Sequence, residues 1–139
     1  MSPRPRTGVY ALLIQVPEQE TIRIGRLGPI SFDQGIHVYI GSALNSLEGR
    51  ISRHFRAAKK KHWHVDFLLD GTGPKLVGVA TRLTRRNLEC TMSRVVQNRA
   101  LSSIPRFGCS DCKCSSHLHY LRTTQRAYNI LSDAGFVRN

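Results

Sequence analysis

Gly8-Val9-Tyr10-Ala11-Leu12-Leu13-Ile14-Gln15-Val16 is apolar on both alternations. Val9, Ala11 and Leu13 fall on one face of an extended chain, and Tyr10, Leu12 and Ile14 on the other. That is the pattern of a strand covered on both sides, so Tyr10 starts near a core. The break at Pro17-Glu18-Gln19 and the segment Thr21 to Leu27 predict a hairpin partner. Gly28, Pro29, Asp33 and Gly35 then mark a loop before a third strand, Ile36 to Gly41. On that strand Tyr39 shares a face with His37, while Ile36, Val38 and Ile40 take the other, so the polar side can face a cleft.

Leu44, Leu47, Ile51, Phe55 and Ala58 recur at helical intervals after a cap at Ser42 or Asn45, and Lys59, Lys60 and Lys61 end the segment. His62 to Asp70 is short and ambiguous. Leu76 to Leu83 reads as a strand, and Leu88, Met92, Val95 and Val96 form a second helical stripe within Asn87 to Asn98. A loop at Ser102 to Gly108, a last strand at His117 to Arg122 and a terminal helix at Thr124 to Ala134, stopped by Gly135, complete the chain. The expected fold class is α+β, a small and mainly antiparallel sheet flanked by helices. One domain spans 1–139, with a core of about 8–98 and an extension over 99–139.

The 139 residues are enough for one hydrophobic core and too few for two ordinary domains. Twenty-one Lys and Arg against nine Asp and Glu give a net charge of +12, which a compact domain carries most readily beside a polyanion. Nucleic acid is the leading partner. A membrane surface is not, because the sequence carries no amphipathic basic helix beside an anchor, no apolar run long enough to span and no signal-peptide pattern. Cys109, Cys112 and Cys114 are too crowded for a disulfide framework spread across a small secreted fold, so a reducing cytoplasm is the expected compartment. Oligomeric state is left open.

Gly8-Val9-Tyr10 opens the first strand and Tyr39-Ile40-Gly41 closes the third, ahead of a helix carrying Arg50 and His54 four residues apart. Gly41-Ser42-Ala43, Leu47-x-x-Arg50-Ile51 and the helix that carries Glu89 continue the pattern to about Asn98. In order and spacing this resembles the GIY-YIG nuclease superfamily, and the chain as a whole resembles its compact Uri-type branch. The resemblance implies a small antiparallel sheet flanked by helices, cleavage of phosphodiester bonds with DNA as the expected substrate, and a single Mg²⁺ or Mn²⁺ ion. It carries over Tyr10, Tyr39, Arg50 and Glu89 as site residues. A non-catalytic DNA- or RNA-binding module on the same fold is the alternative, since a fold alone does not set a function.

The residue types suit that chemistry. Hydrolysis needs a water to lose a proton, the phosphate charge to be stabilised and the leaving alkoxide to be protonated or bound to metal. Tyr10 serves as base or base-orienter only if hydrogen bonds and cations favour its phenolate; otherwise it is a strand tyrosine with a satisfied hydroxyl, and Tyr39 carries the same alternative. Arg50 has the planar fork suited to a phosphate, or is a solvated helix arginine. His54 can relay a proton near neutral pH, or simply border the core. Glu89 can hold a Mg²⁺ that keeps its waters and takes phosphate oxygens as further ligands, or pair with Arg85 or Arg86.

Arg53, Lys59, Lys60, Lys61, His62 and His64 are candidate substrate-binding residues, a basic face that tracks a phosphate backbone or is merely solvated. His62, His64 and Asp66 line one polar face if extended, whereas a helix joins His62 to Asp66 instead. Trp63 can stack on a base, or with Phe67 anchor the segment into the core. Cys109-x-x-Cys112-x-Cys114-x-x-His117 offers a candidate structural zinc site. Common zinc sites, however, join two ligand pairs across a longer loop, and unligated thiols or redox chemistry are the alternatives.

Overall fold

The structure is a computed structural model that describes residues 6–56, 60–109 and 114–139. Lys59, Ala58 and Cys112 lie outside the described residues. The doubly apolar strand forms as expected: β1 (Gly8–Val16) pairs antiparallel with β4 (Gly35–Ala43) on one side and with β5 (Lys75–Leu83) on the other. The β1/β4 register sets Tyr10 opposite Gly41 and Leu12 opposite Tyr39. β7 (Leu118–Arg122) lies beyond β4 and carries the two-residue β6 (Ser102–Ser103) on its outer edge, while β8 (Val137–Arg138) pairs with β5. The six strands run in the order β6-β7-β4-β1-β5-β8, all pairings antiparallel. Residues 99–139 thus supply strands to both ends of the sheet.

Because both edges of β1 are occupied, Thr21 to Leu27 does not become its hairpin partner. β2 (Glu20–Arg23) instead pairs with β3 (Pro29–Phe32) in a separate two-stranded sheet, inside the segment expected to be a loop, with a 3-10 turn over Gly25–Leu27 between them. The expected loop at Ser102 to Gly108 likewise begins with β6.

The helices are α1 (Leu47–Phe55), α2 (His64–Leu68), α3 (Glu89–Arg99) and α4 (Thr124–Asp133). α3 and α4 cover one face of the sheet, where Val9, Ala11, Leu13, Val38 and Ile40 meet Met92, Val96, Ile130 and Leu131. α1, α2, the β2–β3 hairpin and Phe107 cover the other, against Tyr10, Leu12, Ile14 and Tyr39. Leu12, Leu13 and Ile14 are fully buried, each a gain of roughly 1.5–3 kcal/mol over exposure. Gly135 stops α4 with φ of 88°, the left-handed backbone that glycine adopts without steric cost.

α1 departs from its expected stripe. Its cap is Ser46, whose hydroxyl accepts from the Gly49 N–H at 3.0 Å, and not Ser42 or Asn45. Starting there, the helix leaves Leu44 outside it and 61% exposed, and Phe55 turns to solvent at 56%. The inward position goes to His54, because a polar partner waits for it on β1.

Candidate active site

Tyr10 and Tyr39 sit on neighbouring strands with ring centroids 6.5 Å apart. The Tyr10 hydroxyl lies 2.7 Å from His54 Nε2, and the His54 ring stands 6.4 Å from Tyr39 and 5.8 Å from Trp63. Arg50, one turn before His54 on α1, donates to the Ser42 carbonyl at 3.0 Å and places its guanidinium 4.4 Å from the Trp63 ring centre. Glu89 enters from the first turn of α3. Together with Ser42, His62, Trp63, His64, Asn87, Cys90 and Gly108, the two tyrosines, Arg50 and Glu89 line a cleft of about 470 Å³. β1, β4, α1, α2 and α3 all contribute, so residues from five elements converge on one cleft.

Tyr10 can approach β4 so closely because of Gly41. A Cβ there would stand 2.5 Å from the Tyr10 Cζ and hydroxyl oxygen, and the glycine of the second tripeptide makes the space for the tyrosine of the first. Burial pushes the Tyr10 phenol up from its ordinary value, with Arg50 pulling against it and Glu89 and Asp66 adding to the rise. Burial also raises the Tyr39 phenol. Both are therefore neutral phenols at neutral pH, and the condition that hydrogen bonds and cations favour the Tyr10 phenolate is not met: removal from water outweighs the nearby cation. Burial raises the Glu89 carboxyl as well, opposed by hydrogen bonding to Ser42 and by the Arg50 charge.

His64 accepts from the Gly108 N–H through Nδ1 at 2.8 Å. Its neutral ring therefore carries its proton on Nε2, and burial lowers its pKa and keeps it neutral. Arg53 is turned to a different task. Its guanidinium grips Asp66 through two hydrogen bonds of 3.0 Å each and donates to the Lys60 carbonyl at 2.9 Å. Asp66, which is buried, also accepts from the His62 and Trp63 N–H groups at 2.8 and 2.9 Å; the segment is helical only from His64, and His62 meets Asp66 through its backbone ahead of the helix. Burial alone would raise the Asp66 pKa; the hydrogen bonds from Arg53 and the two peptide groups more than offset it and hold it below the usual range. Lys60 and Lys61 are exposed, Lys61 pairing with Asp70 at 3.0 Å, and His62 is exposed at the mouth of the cleft.

A second cluster borders the first. Cys90, Cys114 and His117 bring their ligand atoms within 4.8 Å of one another and could hold a metal ion. Cys114 and His117 belong to the expected zinc motif. Cys90 does not, yet among the described residues it is the third member of the cluster. The signal for it in the sequence was the fourth cysteine, which stands alone next to Glu89 and supplies the distant ligand that a compact motif lacks. Cys109 instead points its thiol at the Phe107 carbonyl, 3.5 Å away. The two clusters share a wall: Cys90 lines the cleft, and Glu89 Oε1 is 3.8 Å from His117 Nδ1.

Fold and site together define an antiparallel α+β domain with a polar cleft beside a possible soft-ligand metal centre. The chain belongs to the family described as Domain of unknown function DUF123, which matches residues 9–136. Comparison with curated proteins and with solved structures finds no match. Among the described residues no helix is long and apolar enough to cross a membrane.

Proposed function

We propose that the protein is a metal-dependent endonuclease of the GIY-YIG type that hydrolyses nucleic acid phosphodiester bonds, with DNA as the expected substrate. The observation that carries this reading is the convergence of Tyr10, Tyr39, Arg50, His54 and Glu89 around one cleft from four separate elements. On a chain of net charge +12, such a cleft suits an anionic backbone. Glu89 and the phosphate oxygens would hold one Mg²⁺ or Mn²⁺. When bound, that ion supplies Lewis-acid stabilisation of the phosphate charge and of the leaving oxygen.

Tyr10 need not become a free phenolate. With its hydroxyl 2.7 Å from His54 Nε2, it can take a proton from the attacking water while passing its own to the imidazole. The water oxygen bonds to phosphorus as the ester P–O bond breaks, and the departing alkoxide takes a proton from solvent. Arg50 clamps a non-bridging phosphate oxygen. Loss of such a donor lowers rates by about 10²- to 10³-fold. The protonated Nε2 of His64 would add a neutral donor, Tyr39 lines the cleft, and the exposed Lys60 and Lys61, next in sequence to His62, would supply charge to a flanking phosphate.

The test is incubation with supercoiled plasmid and with single-stranded, duplex and branched oligonucleotides in Mg²⁺, Mn²⁺ or EDTA, beside Glu89→Ala and Arg50→Ala. Metal-dependent cutting that both substitutions abolish while binding persists is the expected result. Undiminished cutting by both variants would overturn the assignment. Tight binding without cutting across the panel would favour the non-catalytic binding module, which the same basic charge serves.

A further inference from the structure

We propose that Cys90, Cys114 and His117 bind a zinc ion, a second metal centre beside the Glu89 cleft, and that this ion fastens the first turn of α3 to the segment entering β7. Three donors converge there from two places in the chain, Cys90 on α3 and the neighbouring pair Cys114 and His117, more than twenty residues further on. Cys90 Sγ is 2.8 Å from Cys114 Sγ and 3.6 Å from His117 Nε2, and Cys114 Sγ is 2.7 Å from the same nitrogen. Two sulfurs and an imidazole are the ligand types that zinc takes, whereas magnesium and calcium take oxygen.

The histidine is set up as a ligand. Its Nδ1 lies 3.1 Å from the Ile40 carbonyl and donates to it, which leaves the Nε2 lone pair facing the two sulfurs. A metal-binding histidine is commonly oriented by such a hydrogen bond from its other nitrogen. The backbone around it is held at both ends: His117 N donates to the Phe107 carbonyl at 2.8 Å, and Ile40 N donates to the His117 carbonyl at 2.9 Å. Cys90 lies in the first turn of the 11-residue α3, so a regular element holds its sulfur beside Cys114 and His117. Binding displaces the thiol protons to solvent.

Glu89 precedes Cys90, so an ion gripping Cys90 also fixes where the carboxylate stands relative to β4. That consequence rests on the nuclease reading, whereas the zinc site itself does not. Metal analysis of the purified full chain is expected to show one zinc per molecule, and Co²⁺ in its place is expected to give thiolate-to-metal charge-transfer absorption. Cys90→Ser and Cys114→Ser, folded by circular dichroism, should each weaken zinc binding by more than the roughly 10- to 100-fold that loss of an outer hydrogen bond costs. Glu89→Ala should keep the zinc while losing cleavage, so that a zinc-replete chain that cuts nothing would remove the nuclease reading and leave this one. A wild-type chain that takes up neither ion, a Cys90–Cys114 disulfide in its place, or full zinc affinity in Cys90→Ser would overturn the proposal. Should both serine variants fail to fold, the wild-type Co²⁺ spectrum decides alone, and absence of the charge-transfer band overturns it.

Discussion

A Cβ at residue 41 would meet the Tyr10 ring and hydroxyl at 2.5 Å, in a place where the tyrosine is 1% exposed and cannot swing into solvent. Gly41→Ala is therefore expected to push the Tyr10 hydroxyl away from His54. Overpacking of this kind costs about 1–3 kcal/mol of stability, and a displacement near 1 Å can cost about 10²-fold in rate. Cleavage kinetics beside urea denaturation checks this: a variant that is destabilised but cuts at the wild-type rate would show that the hydroxyl position is immaterial. Tyr10→Phe removes the same hydroxyl without crowding, so it should reproduce the loss of rate, at a cost of about 1–3 kcal/mol for taking the hydroxyl from the buried His54 nitrogen.

The elements around the cleft are joined by one ion pair more than by helix length. α2 has only five residues, far too few to persist alone, and it is held to α1 by the two bonds between Arg53 and a fully buried Asp66 side chain. Removing one partner of a buried pair leaves the other uncompensated, at a cost of roughly 3–5 kcal/mol. The exposed part of the Arg53 side chain moves the expectation for Asp66→Ala to about 3 kcal/mol. The denaturation midpoint measures it. Trp63, the single tryptophan of the chain, lies 4.3 Å from the Arg53 guanidinium, so the same substitution should shift its fluorescence. Unchanged stability and emission would mean that α2 is anchored by apolar contacts alone.

At the scale of the whole molecule, charge and buried histidines set the response to solution conditions. If nucleic acid is the partner, the logarithm of the duplex binding constant should fall linearly with the logarithm of salt concentration, with a slope of about −0.9 per phosphate neutralised. A flat titration would contradict an electrostatic interface. Acid should destabilise the fold. His37 is buried, its Nε2 donating to the Asp33 carbonyl at 2.9 Å, while its Nδ1 has no hydrogen-bond partner among the described residues. Burial lowers its pKa, against the smaller upward pull of Asp33. The unfolded chain, with histidine near its ordinary value of about 6.5, takes the proton first as pH falls. The stability present above that value is therefore lost progressively below it. The thermal midpoint should drop as pH falls below about 6.5, and His37→Phe, despite losing the Asp33 bond, should lessen that drop, with the remainder left to His64 and His119, whose pKa values burial also lowers. An equally steep loss in the variant would place the acid sensitivity elsewhere.

Local pattern by itself determined the sheet's centre and the helices that follow it. Gly8–Val16 is apolar on both alternations, so it had to be covered on both faces; the stretches that became β4, β5 and α3 carried a readable pattern, and α4 was marked by its cap and by the Gly135 stop. The resemblance carried by the two tripeptides, the Arg50 helix and the Glu89 helix, and not local pattern, pointed to the tyrosines, the arginine and the glutamate that line one cleft. Tertiary structure decided the rest. Once β4 and β5 had taken both edges of β1, Thr21 to Leu27 had to find β3 instead, an outcome that no period within the segment contains. His54 turned inward in place of Phe55 because the Tyr10 hydroxyl offers a buried polar partner, and Arg53 was drawn to Asp66 because a buried carboxylate needs a cation. Cys90 reaches Cys114 and His117 because α3 sets its first turn against the start of β7, more than twenty residues along the chain. A proximity made by packing leaves no trace in local sequence.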